Sequence, residues 1–229
     1  RSTGQKVFHL VNVTDIDDKI ITKAKAEKTT FSKIADEYWS VYKKNIEGLG
    51  VTSTSKFAMA TKFIPQIQSQ VKTLLKKGFA YEIENDGIYF DVSKFSDYGK
   101  LSRRTAEQAE DGVSRIDQSI KKKNKADFAL WKISNEDEPG WPSDWGRGRP
   151  GWHIEDTAIT EHFFGPQYDI HGGGLDLKFP HHEAELAQQE AASGKKPFVK
   201  IWMHAGMLTI EGQKMSKSLG NFMTIDQLL

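Results

Sequence analysis

Apolar positions along the chain change period several times, and each change marks an expected element. Val7 to Val13 is an apolar, β-branched run ending in Asn12-Val13-Thr14-Asp15, which predicts a buried strand that opens into a polar loop. Strand ends of this kind commonly carry sites in α/β folds. Asp17 to Lys28 places Ile20, Ile21 and Ala24 on one helical face, and Phe31 to Ile46 repeats that spacing, so two helices are expected. A third spans Thr61 to Lys77, where Phe63, Ile64, Ile67, Val71, Leu74 and Leu75 form one stripe and Gly78 is placed to end it. The period then shortens. Tyr81 to Ile83 and Gly87 to Val92 flank Asn85-Asp86-Gly87, a turn signal that predicts a small hairpin. Ser93 to Lys125 is polar and has no period, which reads as an inserted, mobile segment.

Asp127 to Ile133 regains strand character, and Pro139 to Pro150 is a Gly/Pro-rich connector. It is expected to be an ordered loop, because Trp141, Trp145 and Trp152 are costly to leave in water. Gly151 to Thr160 opens a helix with Glu155 and Asp156 near its first turns. Tyr168 to His171 is a short strand entering Gly172-Gly173-Gly174, Pro180 to Ala192 is a helix with proline at its start, and Val199 to Met207 is another apolar strand. No internal repeat is present.

Composition narrows the class. With 229 residues, the chain lies at the upper edge of what one core supports, so a large domain, a domain with an insertion, or two small domains are expected. An apolar share of 38% with six Trp and thirteen Phe can build a core, while a charged share of 28% is ordinary; disordered and membrane classes are disfavoured. No run approaches the roughly 18 to 20 apolar residues that span a bilayer, and no signal-like N-terminus is present, so the reading is a soluble, cytoplasmic protein. The chain has no cysteine, which rules out internal disulfides and removes every thiolate ligand. Net charge is +1, so any RNA contact must be local. Lys121, Lys122, Lys123 and Lys125 are the best local candidate, although charge alone favours a solvated face.

Three stretches carry candidate chemistry. Glycines 172 to 174 follow a strand and precede a helix, so a ligand could approach the backbone closely, although a triplet alone reads better as a tight turn. Asp176 could accept hydrogen bonds from ribose hydroxyls. His181 and Glu185, spaced i and i+4, share one helical face at a separation suited to a metal; for such a pair alone an exposed helical pair is the better reading. Asp156, beside His153 in sequence, offers a third ligand. Lys214-Met215-Ser216-Lys217-Ser218 puts two lysines and two hydroxyls on a short loop, as a triphosphate needs while its leaving pyrophosphate gains charge. Residue type alone leaves an ordinary basic surface turn open.

The string Lys214-Met215-Ser216-Lys217-Ser218 resembles the second signature of class I aminoacyl-tRNA synthetases, and Gly174-x-Asp176-xxxx-His181 resembles the class pattern that holds the adenylate ribose. Four further blocks are similar to the cysteinyl-tRNA synthetase family: Asn12 to Ile20, Gly148 to Glu155, Asp169 to Leu177, and Phe179-Pro180-His181-His182-Glu183-x-Glu185. They span nearly the whole chain in the family's order.

The resemblance implies an α/β fold with a Rossmann-like parallel sheet interrupted by a connective insertion. The expected division is residues 1–80 and 148–207 for the catalytic domain, 81–147 for the insertion, and 208–229 for the lysine loop leading to an anticodon-binding domain. It implies activation of cysteine by ATP with Mg2+, then transfer to tRNA(Cys), by a protein that is a monomer. Lys214 and Lys217 would stabilise the phosphates, Gly172, Gly173, Gly174 and Asp176 would bind the nucleotide, and Lys217 would share in that. Thr14 and Trp152 match residues of the amino-acid pocket, and His171 matches an active-site histidine. The family's zinc ion takes the substrate thiolate. His181 and Glu185 match two of its ligands, but Asp156 stands where the family pattern has cysteine. The first class signature, His-Ile-Gly-His, and the helical anticodon domain are expected outside this chain, so a fragment is inferred that is inactive by itself. Two alternatives are a relative that joins cysteine to an amino sugar, and a truncated synthetase-like binding module.

Overall fold

The structure, a computed structural model, describes residues 3–104, 121–216 and 219–229. The chain begins with strand β1 (Leu10–Val13), helices α1 (Asp18–Ala26) and α2 (Phe31–Gly48), and strand β2 (Lys56–Met59), which pairs in parallel with β1. The side chain of Asp17 caps α1 by accepting from Lys19 N at 2.8 Å, and that of Thr30 caps α2 from Lys33 N. Each cap satisfies a helix-terminal N–H that has no partner within the helix. The expected buried strand from Val7 is shorter and wetter than its sequence suggests: Val7 and Phe8 are exposed, and β1 is only half-buried. Among the described residues its one hydrogen-bonded neighbour is β2, and a strand with a single neighbour keeps an open side.

Helix α3 (Ile64–Lys76) starts after a 3-10 turn at Ala60–Lys62, later than the periodicity implied, because Pro65 sets its first turn. Gly78, just beyond it, takes φ +75°, the left-handed conformation that a β-carbon disfavours. Strands β3 (Ala80–Ile83) and β4 (Gly87–Phe90) form the expected hairpin, which β5 (Phe128–Ile133) and β6 (Gly148–Pro150) extend into an antiparallel sheet of order β3-β4-β5-β6. Gly87 is required here, since a β-carbon would lie 2.2 Å from the carbonyl oxygen of Trp131. The connector before β6 is ordered as expected, with Trp141 paired to Gly148 and both Trp141 and Trp145 packed on the core.

Helices α4 (Trp152–Phe164) and α5 (His181–Ser193) follow, separated by strand β7 (Tyr168–Gly174), and β7 pairs in parallel with β8 (Val199–Ala205). A small ribbon of β9 (Thr209–Ile210) and β10 (Gln213–Lys214) and the short helix α6 (Ile225–Leu228) complete the described chain. The parallel strands thus form two ladders, β1–β2 and β7–β8, with the antiparallel sheet between them in sequence. This is an α/β arrangement of mixed parallel and antiparallel strands.

One core unites α3, α4 and α5 with the antiparallel sheet. Ile67, Val71 and Leu74 of α3, Ile88 and Phe90 of β4, Leu130 and Trp131 of β5, Ile154 of α4, and Ala184 and Ala187 of α5 are buried together. Burying each large apolar side chain contributes about 1.5–3 kcal/mol. A second cluster of Ile16, Ile21, Ala58, Ala60, Phe63 and Ile159 joins β2 and α1 to α4. Both clusters therefore meet on α4, the helix that carries Asp156.

Of the polar segment from Ser93 to Lys125, residues 105–120 lie outside the described residues. The part before them is not loose. Phe95 is buried in the main core, and the backbone of residues 99 to 102 is bonded to α5. Burial of Phe95 and of the Glu183 carboxylate corrects the expectation of a mobile segment for residues 93–104.

Candidate functional site

The site forms where the first two turns of α4 face the first two turns of α5. One turn separates His181 from Glu185, and His181 Nε2 lies 2.9 Å from Glu185 Oε1. Asp156, projecting from α4, places Oδ2 2.7 Å from the same nitrogen. Asp156, His181 and Glu185 are all buried, and their possible ligand atoms lie within 4.8 Å of one another. The structure thus brings together the three residues that sequence nominated, and it replaces the exposed helical pair by a buried one.

Burial of Asp156 comes from both of the units it touches. Asn12, at the end of β1, donates its side-chain N–H to Asp156 Oδ1, so one carboxylate joins the first strand to α4. The acidic block after Asn12 is likewise occupied in local structure: Asp15 accepts from Thr61 N at 2.9 Å, Asp17 caps α1, and Asp18 pairs with Arg149. These contacts hold the Asn12 to Asp18 loop beside the start of α4.

Charge in the triad follows from the groups that face each other. Burial alone would lower the pKa of His181, but the Glu185 and Asp156 carboxylates outweigh it and raise it to about 10. Burial would raise Glu185, and the rings of His171 and His181 outweigh this and hold it at about 2. Asp156 is raised by burial, which exceeds the opposing bond to His181. In this form an imidazolium lies between two carboxylates, where a divalent cation would also be favoured. Neither oxygen of Glu185 receives a well-directed hydrogen bond, a costly state for a buried carboxylate and one that a cation would relieve. Position and burial therefore fit a metal ion. The set of two oxygens and one nitrogen is harder than a thiolate set, although carboxylate and imidazole both bind zinc.

Around the triad lie Trp152 and His171, which the sequence had nominated, and His153, His182 and His204, to which it had given no role. His153, one turn before Asp156, places Nδ1 2.8 Å from His181 Nδ1. Burial keeps its pKa well below the usual value, so neutral His153 accepts from His181 Nδ1–H and leaves His181 Nε2 toward the carboxylates. Partners of this kind fix the tautomer of a metal-binding imidazole. Trp152 stacks on His181 with centroids 4.2 Å apart. On the other side, His171 Nε2 lies 3.7 Å from Glu185 Oε2, and His171, His182 and Glu185 form a second possible ligand group that shares this carboxylate. His182 Nδ1 lies 2.9 Å from His204 Nε2, and burial lowers His182 to about 3. The sequence signal for this array was the number of histidines close to Trp152 and Trp202, which no spacing rule connects.

The remaining nominated residues fall into place unevenly. Gly172, Gly173 and Gly174 are the last residues of β7 and form no tight turn. A β-carbon on Gly173 would meet the His182 ring at 2.7 Å, and one on Gly174 would meet Asp176 Oδ1 at 2.4 Å. The packed His182 ring excludes a β-carbon at Gly173, whereas at Gly174 the exposed Asp176 side chain can move aside, and the place of the run at a strand end corrects the tight-turn reading. Asp176 is exposed on a 3-10 turn, Leu175–Lys178, directly after these glycines. Thr14 is half-buried two residues beyond Asn12. Lys214 is exposed on β10, and its carbonyl accepts from Asn221 Nδ2 at 3.2 Å, while Ser216 N donates to Asn221 Oδ1. Lys217 lies outside the described residues. A cavity of about 20 Å³ beside Trp152 is lined by Asp17, Asp18, Arg149 and Glu155, whereas a groove of about 390 Å³ lined by α3, α4 and α5 contains none of the nominated residues.

The fold and its site define the catalytic domain of a class I aminoacyl-tRNA synthetase. A solved structure assigned as an arginyl-tRNA synthetase from Campylobacter jejuni superposes with a TM-score of 0.52 at 15% identity, over 86% of this chain and 35% of that one; at this identity the likeness shows the fold alone. The chain belongs to the family described as tRNA synthetases class I (C) catalytic domain, whose model matches residues 1–229. Similar relatives are named Cysteine--tRNA ligase. One from Thermoplasma acidophilum is 52% identical over 229 residues, covering 100% of this chain and 50% of the relative. Another, from Aquifex aeolicus, is 50% identical over 98% of this chain and 45% of its own length, and one from Acinetobacter baumannii is 45% identical over 100% and 48%. The chain thus spans about half the length of the curated relatives it matches. None of these names supports the amino-sugar ligase or the inactive binding module. Among the described residues, no helix is long and apolar enough to cross a membrane.

Proposed function

We propose that the full-length protein activates L-cysteine with ATP and transfers it to the 3′ end of tRNA(Cys). The observation that carries this reading is the buried Asp156–His181–Glu185 group beneath Trp152, in a chain whose relatives are named Cysteine--tRNA ligase.

In the first step a carboxylate oxygen of cysteine attacks the α-phosphorus of ATP. A new acyl phosphate bond forms, the bond to the β-phosphate breaks, and pyrophosphate leaves. In the second step a terminal ribose hydroxyl of the tRNA attacks the cysteinyl carbonyl and AMP leaves. Asp176 accepts hydrogen bonds from the nucleotide ribose, and the strand of glycines 172 to 174 lies along the adenosine. Lys214 and Lys217 place positive charge where pyrophosphate gains negative charge, an interaction strongest in the transition state; Mg2+ accompanies the ATP phosphates. Thr14 and Trp152 line the amino-acid pocket, with His171 beside them.

Asp156, His181 and Glu185 would hold a zinc ion, which when bound supplies affinity for a thiolate that a serine hydroxyl does not match. Loading requires His181 Nε2 to release its proton, and His153 keeps the ring oriented for that exchange. The division into catalytic halves 1–80 and 148–207, an insertion at 81–147 and a lysine-loop segment at 208–229, together with a monomeric, cytoplasmic protein, belongs to the same reading.

Pyrophosphate exchange and tRNA charging by the full-length protein test it. Cysteine-dependent exchange together with charging of tRNA(Cys) is expected. Exchange without charging would point to another acceptor, such as an amino sugar, and absence of exchange would contradict the proposal.

A further inference from the structure

Glu183 lies on α5 between His182 and Glu185 but serves a different structure. It is fully buried, and its carboxylate accepts backbone N–H bonds from Gly99 at 3.0 Å, Leu101 at 3.4 Å and Ser102 at 2.7 Å. A carboxylate removed from water needs such donors, so residues 99 to 102 are wrapped around it. The turn continues tightly. Gly99 has φ +96°, and a β-carbon there would lie 1.7 Å from the Arg104 carbonyl oxygen. Arg104 N donates to Gly99 O at 3.2 Å.

This seat presents two arginines. Arg103 takes φ +60°, a left-handed conformation that a long side chain keeps only when its surroundings hold it. Both arginines are exposed, and the Arg104 guanidinium lies 4.9 Å from the centre of the Phe179 ring. Phe179 is on the short connection from Asp176 to His181, the segment that joins the proposed ribose contact to the proposed metal site. Among the described residues, neither guanidinium forms an ion pair.

The other local basic cluster is occupied. Lys122 Nζ donates to the carbonyls of Lys125 and Asp127 at 2.7 and 2.8 Å. Lys123 Nζ lies 4.2 Å from the centre of the Tyr81 ring. With a net charge of only +1, attraction for a polyanion must come from a few placed groups, and the arginine pair is one that is exposed and held beside the site.

We propose that Arg103 and Arg104 form a phosphate-binding element for the acceptor end of the substrate RNA, seated against the site by Glu183. This rests on the reading that the full-length protein charges tRNA. Guanidinium groups present forked N–H donors that match phosphate oxygens, and stacking on an aromatic ring leaves those edge donors available. Such contacts position an RNA and carry no sequence information.

The test compares unaltered full-length protein with Arg103→Ala, Arg104→Ala, the double variant and Glu183→Gln. Cysteine-dependent pyrophosphate exchange is measured without tRNA, and charging is measured over a range of tRNA and salt concentrations. The double variant is expected to keep exchange within about twofold while its KM for tRNA rises roughly tenfold and the salt dependence of log KM falls by about one unit of slope per arginine. Glu183→Gln should move KM for tRNA in the same direction. The arginines are on the surface, so their variants remain informative if Glu183→Gln fails to fold. Unchanged KM and salt slope would overturn the proposal alone. An equal fall in exchange and charging would assign the loop to ATP and also overturn it. Absence of exchange in the unaltered protein would overturn the ligase reading, and this proposal with it.

Discussion

His181 Nε2 lies 2.7 Å from Asp156 Oδ2, and this contact joins α5 to α4 at the point where both core clusters converge. If the pair is part of a metal centre, Asp156→Ala should lower the zinc content of the purified protein. Metal analysis showing unchanged zinc would sink the assignment. Asp156→Cys should bind zinc more tightly than the natural protein, because a thiolate is the softer ligand; competition against a chromophoric chelator measures the difference.

The neutral ring of His153 accepts from His181 Nδ1–H in this arrangement. Replacing it with phenylalanine preserves an aromatic ring and removes the acceptor. Zinc affinity should fall by roughly 10- to 100-fold, the usual cost of losing a group that orients a ligand. An unchanged affinity would show that His181 is oriented by Trp152 and the carboxylates alone.

Lys217→Ala should slow adenylate formation by roughly 10²- to 10³-fold, the scale for losing one donor to developing charge. Cysteine binding should change far less. Single-turnover rates and equilibrium binding separate the two, and equal losses would give the loop another role.

Gly151 joins β6 to α4, and a β-carbon there would sit 1.9 Å from the Ala129 carbonyl oxygen. Gly151→Ala is therefore expected to destabilise the protein by about 1–3 kcal/mol through overpacking. The urea midpoint checks this, and an unchanged midpoint would mean that β5 can move aside.

What the sequence made legible was set by local physics. The stripe of Ile67, Val71 and Leu74 is fully buried as its period implies, and the hairpin around Asn85 follows from its turn residues. Helix α5 was legible as a helix, but its near-complete burial was not. One polar atom on each of three of its side chains is paired with a distant group: Gln188 Nε2 donates to His153 O at 2.5 Å, Gln189 Oε1 accepts from Gln70 Nε2, and Glu190 Oε1 accepts from Phe198 N at 3.0 Å. Partners that far apart leave no local period. For the same reason the i, i+4 spacing suggested His181 and Glu185, while His153, His182 and His204 became visible only when three elements were brought together. The β-branched run at Val7 misled because composition does not report how many neighbours a strand has.

The most direct test is cysteine-dependent pyrophosphate exchange by the full-length protein before and after chelation, with zinc then restored. The expected result is exchange that is lost with the metal, returns with zinc, and favours cysteine strongly over serine. Exchange that persists after complete metal removal, or that accepts serine as readily as cysteine, would contradict the role given to Asp156, His181 and Glu185.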